Sequence, residues 1–177
     1  MINIEQMTPH NAAIFREVRL RALLEAPSAF LSTYAKESKL TVEDWVQRAA
    51  QWNGARSILY LAMDGGAACG MAGSILDKDD AARAQLISMW TAPTHRQRGI
   101  GRLLVNEVLD WARLRGAHTL HLLVTSNNQP AIAFYRRLGF ALTGRTEPYP
   151  NDPALREYEM SRPILSEVVN ENRRSSH

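Results

Sequence analysis

The sequence predicts an α/β (α+β) fold in one domain: a central mixed, mostly antiparallel, twisted sheet of about seven strands with about four helices. Three observations predict it. Short runs rich in strand formers recur along the chain, parted by Gly, Asp and Pro clusters that signal turns. Other segments place apolar residues three and four apart, the spacing of one helix face. The longest of these helical segments sits between two strand runs, which calls for a parallel crossover inside a sheet otherwise built from hairpins. With 177 residues, 45% apolar and 22% charged, the chain holds one core and shows no bias toward disorder.

Ile2 and Ile4 alternate with polar neighbours as a short first strand, and Thr8 or Asn11 then caps a helix carrying Ile14, Phe15, Val18 and Leu23. Ala26-Pro27-Ser28-Ala29-Phe30 breaks it. Thr41 caps a second helix, with Asp44 three residues on. Ser57 to Met63, Ala67 to Leu76 and Gln85 to Thr91 form an antiparallel meander turned at Asp64-Gly65-Gly66 and Asp77-Lys78-Asp79-Asp80. Leu103, Leu104, Val108, Leu109 and Trp111 mark a helix over Ile100 to Leu114, ended by Gly116. Thr119 to Val124 reads as a strand, and Pro130 to Leu138 as a short helix stopped by Gly139. Phe140 to Thr146 and Arg156 to Met160 close the sheet. Residues 1–163 are expected to form the domain, and the polar residues 164–177 a disordered tail.

Composition narrows the function classes. No apolar run reaches the length of a bilayer span, and the first residues lack a basic segment followed by an apolar one, so a cytoplasmic protein is expected, with no membrane partner. Cys69 is the lone cysteine and lies in a small apolar run, which suits a buried structural thiol. The net charge of +3 comes from dispersed arginines without interleaved aromatics, so no nucleic-acid partner is expected. An anionic small molecule accounts for part of that charge. No metal site is expected.

Met89-Trp90-Thr91-Ala92-Pro93-Thr94-His95-Arg96-Gln97-Arg98-Gly99-Ile100-Gly101-Arg102 runs from a strand through a glycine-containing loop into the long helix. The first amides of a helix lack partners within it and carry the positive end of its dipole, so they suit a pyrophosphate. Gly99 and Gly101 allow close approach of the backbone, and Arg96, Arg98 and Arg102 add charge that can pair with phosphate oxygens. Two other phosphate motifs fail on spacing. There is no Gly-x-x-x-x-Gly-Lys-Ser/Thr, and Leu104 stands where a dinucleotide fingerprint needs its third glycine.

Arg96-x-x-Gly99-x-Gly101 resembles the acyl-CoA loop of the GNAT N-acetyltransferases, and Asn128-x-x-Ala131-Ile132-x-Phe134-Tyr135-x-x-Leu138-Gly139-Phe140 resembles their second signature. The resemblance runs from about Gln85 to Met160 and is weak over the first fifty residues. It implies a GNAT fold whose parallel strands splay apart at the cofactor cleft, with acetyl-CoA as cosubstrate. Met89, Trp90 and Thr91 would lie along the pantetheine arm as an added strand, the Trp90 ring being assigned to packing. Gln97, Arg98, Gly99, Ile100, Gly101 and Arg102 would hold the pyrophosphate, and Asn128 the pantetheine arm while also capping a helix.

Acetyl transfer needs a neutral amine, yet an alkyl ammonium of pKa about 10.4 is neutral only to about one part in 10³ at pH 7. A group or water must take that proton, and an acid helps the CoA thiolate leave. The resemblance assigns the acid to Tyr135. The base stays open: the resemblance puts a glutamate on one of two central strands in many relatives, and here Ser88 and Leu123 stand at those places. Glu25, Glu37, Glu147 and Glu157 flank the expected acceptor side, each more often a solvated surface carboxylate, and a water relay is an equal alternative. His95 is expected on the cofactor side or exposed, and His118 and His121 as structural.

The resemblance also places acceptor selectivity in Arg19 to Lys39 and Glu147 to Leu155, with Phe30, Ser32 and Tyr34 as candidate substrate contacts. The function it implies is acetylation of the amine of a small metabolite or amino-acid-like acceptor by direct attack. Alternatives are a protein or peptide N-acetyltransferase and a non-catalytic acyl-CoA-binding module. A homodimer is a further expectation from the resemblance.

Overall fold

A computed structural model describes residues 1–165. In chain order it contains β1 (Ile2–Gln6), α1 (Ala12–Glu25), α2 (Tyr34–Glu37), α3 (Val42–Gln51), β2 (Ser57–Asp64), β3 (Ala67–Leu76) and β4 (Arg83–Thr91). These are followed by α4 (Ile100–Leu114), β5 (Thr119–Thr125), α5 (Gln129–Arg137), β6 (Ala141–Pro148) and β7 (Arg156–Pro163). The single sheet has the strand order β1-β2-β3-β4-β5-β7-β6. All neighbouring pairs are antiparallel except β4 and β5, which are parallel across α4. The expected mixed seven-stranded sheet is therefore present, with a short extra helix, α2, that four residues could not announce by periodicity. The expected tail lies, past residue 165, outside the described residues.

Local chemistry sets the element ends. Asn11 Oδ1 accepts the Thr8 amide at 2.8 Å ahead of α1, and Thr41 exchanges hydrogen bonds with Asp44 to open α3. Gly116 and Gly139, both at positive φ, end α4 and α5. Two cores flank the sheet. On one face α4 and α5 bury Ile100, Leu104, Val108, Trp111, Ile132 and Tyr135 against Leu120, Leu122, Val124 and Met160. On the other, α1 and α3 bury Phe15, Val18, Leu23 and Trp45 against Leu59, Leu61, Met71 and Trp90.

Two irregularities position the cleft. Parallel pairing of β4 with β5 covers only Arg83↔Thr119, Ala84↔Leu120 and Gln85↔His121, after which the strands part. Beyond that point β5 stays paired with β7 out to Thr125↔Glu157, so it is β4 that diverges. A bulge in the β3–β4 ladder falls between Gly73↔Ile87 and Met71↔Trp90, with Ser88 at φ 53°. It reverses the facing of β4: Ala84 and Leu86 pack toward α4, and after the bulge Met89 does so while Trp90 joins the opposite core. Among the described residues no helix is long and apolar enough to cross a membrane.

Candidate active site

The loop between β4 and α4 leaves a run of amides free. His95 N and Arg96 N bond back to Ala92 O and Pro93 O, and the first helical bond is Leu103 N to Gly99 O at 3.1 Å. Between them, the amides of residues 97–102 have no protein acceptor among the described residues. Gln97 and Gly99 sit in the left-handed region at φ 62° and 78° at the start of a fifteen-residue helix, a backbone arrangement able to gather N–H groups around an anion. Gly101 is fixed by packing rather than φ. A Cβ there would stand 2.8 Å from Phe134 Cζ and 3.2 Å from Met89 Cε. The loop, β4 and α5 thus meet at this one glycine.

The three arginines divide. Arg96 donates from Nε to Thr91 O at 3.0 Å and from Nη2 to Glu25 Oε2 at 2.8 Å, the same oxygen that takes Trp90 Nε1 at 2.8 Å. It ties the loop to the end of α1. Partial burial pushes the Glu25 carboxyl up, but its bonds to Arg96 and Trp90 outweigh that and hold it below the ordinary value. Arg98 and Arg102 are exposed at the start of α4 and add positive charge there. His95 joins Asp64 Oδ2 at 2.9 Å and Thr94 Oγ1 at 2.8 Å, fastening the loop to the β2–β3 turn. Cys69 is buried, touches Ala62 O, and has its thiol pushed up by burial, as an inert core group should.

Tyr135 packs edge-on to Phe140 at 5.7 Å between ring centroids and beside Phe134 at 5.2 Å. The side chain is 8% exposed, and burial raises the phenol well above its ordinary value. Its hydroxyl has no hydrogen-bond partner among the described residues, yet it is absent from the polar atoms sealed away from solvent. Asn128 Oδ1 accepts the Ala131 amide at 3.3 Å and caps α5, which leaves its NH₂ group to donate elsewhere.

On the opposite face the expected acceptor contacts do not gather. Phe30 is core, with the Arg19 guanidinium 4.8 Å above its ring; Ser32 is half-buried near Glu37; Tyr34 is exposed at the start of α2. Glu37 is buried rather than solvated, against expectation, because Arg19 and Arg48 both pair with it at 3.0 and 2.8 Å. Burial pushes its carboxyl up, and Arg19 first, then Ser32 and Arg48, hold it below the ordinary value. Arg19 also donates to Ser88 Oγ at 3.2 Å, linking α1 to the bulge. Glu147 is exposed as expected, but Glu157 is 7% exposed. Burial and then the nearby Glu147 charge raise its carboxyl. His121 lies against Arg83 and Thr119, a structural setting as expected.

The roof over that face was not legible in the sequence. The β6–β7 connection reaches across to the α1–α2 connection, where Tyr149 Oη donates to Phe30 O at 2.7 Å and Asn151 Nδ2 to Leu31 O at 2.8 Å. The contacts join residues about 120 positions apart. The sole local hint was the stiff Tyr149-Pro150-Asn151-Asp152-Pro153 run.

The acetyltransferase (GNAT) family model matches residues 20–140. Over 53 residues, 30% of this chain and 28% of the other, the sequence is 57% identical to a streptothricin acetyltransferase of Streptomyces lavendulae. Over 102 residues, 57% of this chain and 63% of the other, it is 33% identical to an N-alpha-acetyltransferase RimI of Mycobacterium tuberculosis. An acetyltransferase of Salmonella typhimurium solved with acetyl-CoA superposes with a TM-score of 0.77 over 94% of this chain and 96% of the other, at 18% identity, a likeness of fold. The matches span between 25% and 42% of the length of the first curated relatives.

Proposed function

We propose a reaction from one premise, that this chain belongs to the acetyltransferase (GNAT) family. It transfers an acetyl group from acetyl-CoA to the amine of a small metabolite or amino-acid-like acceptor by direct attack. The observation that supports this most is the run of unpaired amides at residues 97–102, opening at the point where β4 parts from β5. A pyrophosphate satisfies donors that otherwise have only water.

The residues present fit the rest of the cosubstrate. The edge of β4 past Gln85 is unpaired toward β5, so backbone groups at Met89 to Thr91 are available for an added strand, with Thr91 O already engaged by Arg96. Asn128 and α5 flank the same opening. Acetyl-CoA supplies the activated acyl group and a thiol leaving group. Tyr135 holds a proton on its phenol at neutral pH, because burial disfavours the phenolate, and gives it to the departing sulfur.

Acceptor size follows from the roof. Tyr149 and Asn151 close the acceptor side onto Phe30 and Leu31, which favours a compact amine over an extended peptide. The likeness to an N-alpha-acetyltransferase favours a peptide N-terminus as the second reading. Purified protein with acetyl-CoA and a panel of small amines and peptides is expected to release CoA thiol above background, fastest with small amines. Peptide turnover alone exchanges the two acceptor readings. Calorimetric binding of CoA without thiol release from any acceptor leaves only a binding module.

A further inference from the structure

We infer that Glu157 seats the acceptor's ammonium group and takes its proton, so that the acceptor is a cationic amine docked where β5 ends and β7 begins. This rests on the N-acetyltransferase reading above and names the group that reading leaves open.

Glu157 stands apart from the other carboxylates on its side of the sheet. Glu25 is held by Trp90 and Arg96, and Glu37 by Arg19 and Arg48. Glu159 takes the Thr143 hydroxyl at 2.9 Å and lies within 4 Å of Arg83. Glu157 is 7% exposed and makes no hydrogen bond or ion pair among the described residues. Its carboxylate oxygens are not among the side-chain atoms sealed from solvent, so the group is largely covered yet can be reached from outside, and a cation pairing with it offsets its partial desolvation.

The neighbour across the ladder also lacks a hydrogen-bond partner. Thr125 is the register partner of Glu157, is 5% exposed, and its Oγ1 is sealed without a hydrogen-bond partner. Both side chains point to the same face. Leu122, Val124, Tyr158 and Met160 pack toward α4 and α5, so Thr125 and Glu157 face the roofed side. β7 lies one strand spacing, about 4.8 Å, from β5, whose end borders the gap left by β4. An ammonium docking where β5 ends and β7 begins finds the Glu157 carboxylate there, with the cofactor cleft beside it.

The charged groups facing this seat are Glu147, the register partner of Glu157 on β6, and, two residues deeper, Glu159 with His121, Arg83 and Arg145. Burial and Glu147 both make Glu157 a stronger base than an ordinary carboxylate. The step balances. Glu157 removes one proton from the ammonium, the freed lone pair forms the C–N bond, and the C–S bond breaks with its pair going to sulfur. Tyr135 protonates the sulfur, the surplus proton on nitrogen returns to the Tyr135 oxygen through water, and Glu157 releases its proton to solvent.

The test is Glu157→Gln in the full chain, assayed against alkyl amines and against aryl amines, whose nitrogen is already neutral at pH 7. Turnover of alkyl amines is expected to fall about 100-fold, that of aryl amines by less than about tenfold, and CoA affinity by calorimetry to stay within about twofold. A raised folded pKa gives stability that is present below the unfolded value of 4.5 and lost as pH rises through the folded one. Glu157→Gln should therefore melt above wild type at about pH 8 and level with it in acid, which verifies its folding independently of activity. An active wild type with an unimpaired Gln variant, or an equal loss on both amine classes, overturns the Glu157 assignment alone. A wild type that releases no thiol overturns the N-acetyltransferase reading instead.

Discussion

At the scale of single residues, Tyr135 and Glu157 are both buried and unpartnered, and burial pushes both pKa values upward. The consequence differs with the group. A raised phenol stays protonated and suits donation, whereas a raised carboxylate becomes a better acceptor of a proton. Tyr135→Phe removes only an oxygen that makes no hydrogen bond within the described residues, so its thermal stability should match wild type and CoA affinity should hold. Turnover should fall by about 10² or more, read by thiol release. Unchanged turnover would return Tyr135 to the core as an ordinary aromatic. Ser88 illustrates a different residue-scale effect: at φ 53° it stores strain in the bulge that turns β4 away, and its hydroxyl is held by Arg19.

Elements act here through where they meet. The glycine-containing loop ahead of α4 was legible in the sequence as Arg96-x-x-Gly99-x-Gly101, but the reason for its second glycine is tertiary, since Phe134 of α5 and Met89 of β4 close on that Cα. Gly101→Val should drive Phe134 from its site, lower stability by about 1–3 kcal/mol, and reduce CoA affinity at least about tenfold in calorimetry. For a chain of this size that corresponds to about 2–4 °C per kcal/mol in a melting scan. A Val variant that binds CoA as wild type does would mean that the loop tolerates displacement of α5. Arg96 likewise changes meaning in the structure. Its side chain spans Thr91 O and Glu25, so it shapes the loop, while Arg98 and Arg102 stay exposed.

For the whole molecule, the decisive contacts are those between the first and last quarters of the chain. Tyr149 and Asn151 grip Phe30 and Leu31 on the face of the sheet where Glu157 and Thr125 are buried. Tyr149→Phe deletes the 2.7 Å bond to Phe30 O and leaves that carbonyl only the 3.4 Å contact from Asn151. The expected outcome is a loss of about 1–2 kcal/mol in stability, with acceptor KM raised about fivefold or more and CoA affinity unchanged. Steady-state kinetics with the acceptor varied at saturating acetyl-CoA measures it. An unaltered KM would detach the latch from acceptor binding.

The sequence by itself determined the strands, the longer helices, the Thr41 and Asn128 caps and the glycine-containing turn ahead of α4, because each is encoded by spacing within about a dozen neighbouring residues. Hydrophobic period, capping pairs and glycine placement are local physics. Which glutamates are buried, and which of those is left without a partner, was decided by the tertiary structure alone. Glu25, Glu37, Glu147 and Glu157 have the same chemistry in the sequence, and they diverge only when arginines neutralise two of them, solvent keeps one, and the folded sheet buries the last without a partner. Desolvation is a property of the surroundings in three dimensions, so no pattern of neighbours along the chain can carry it.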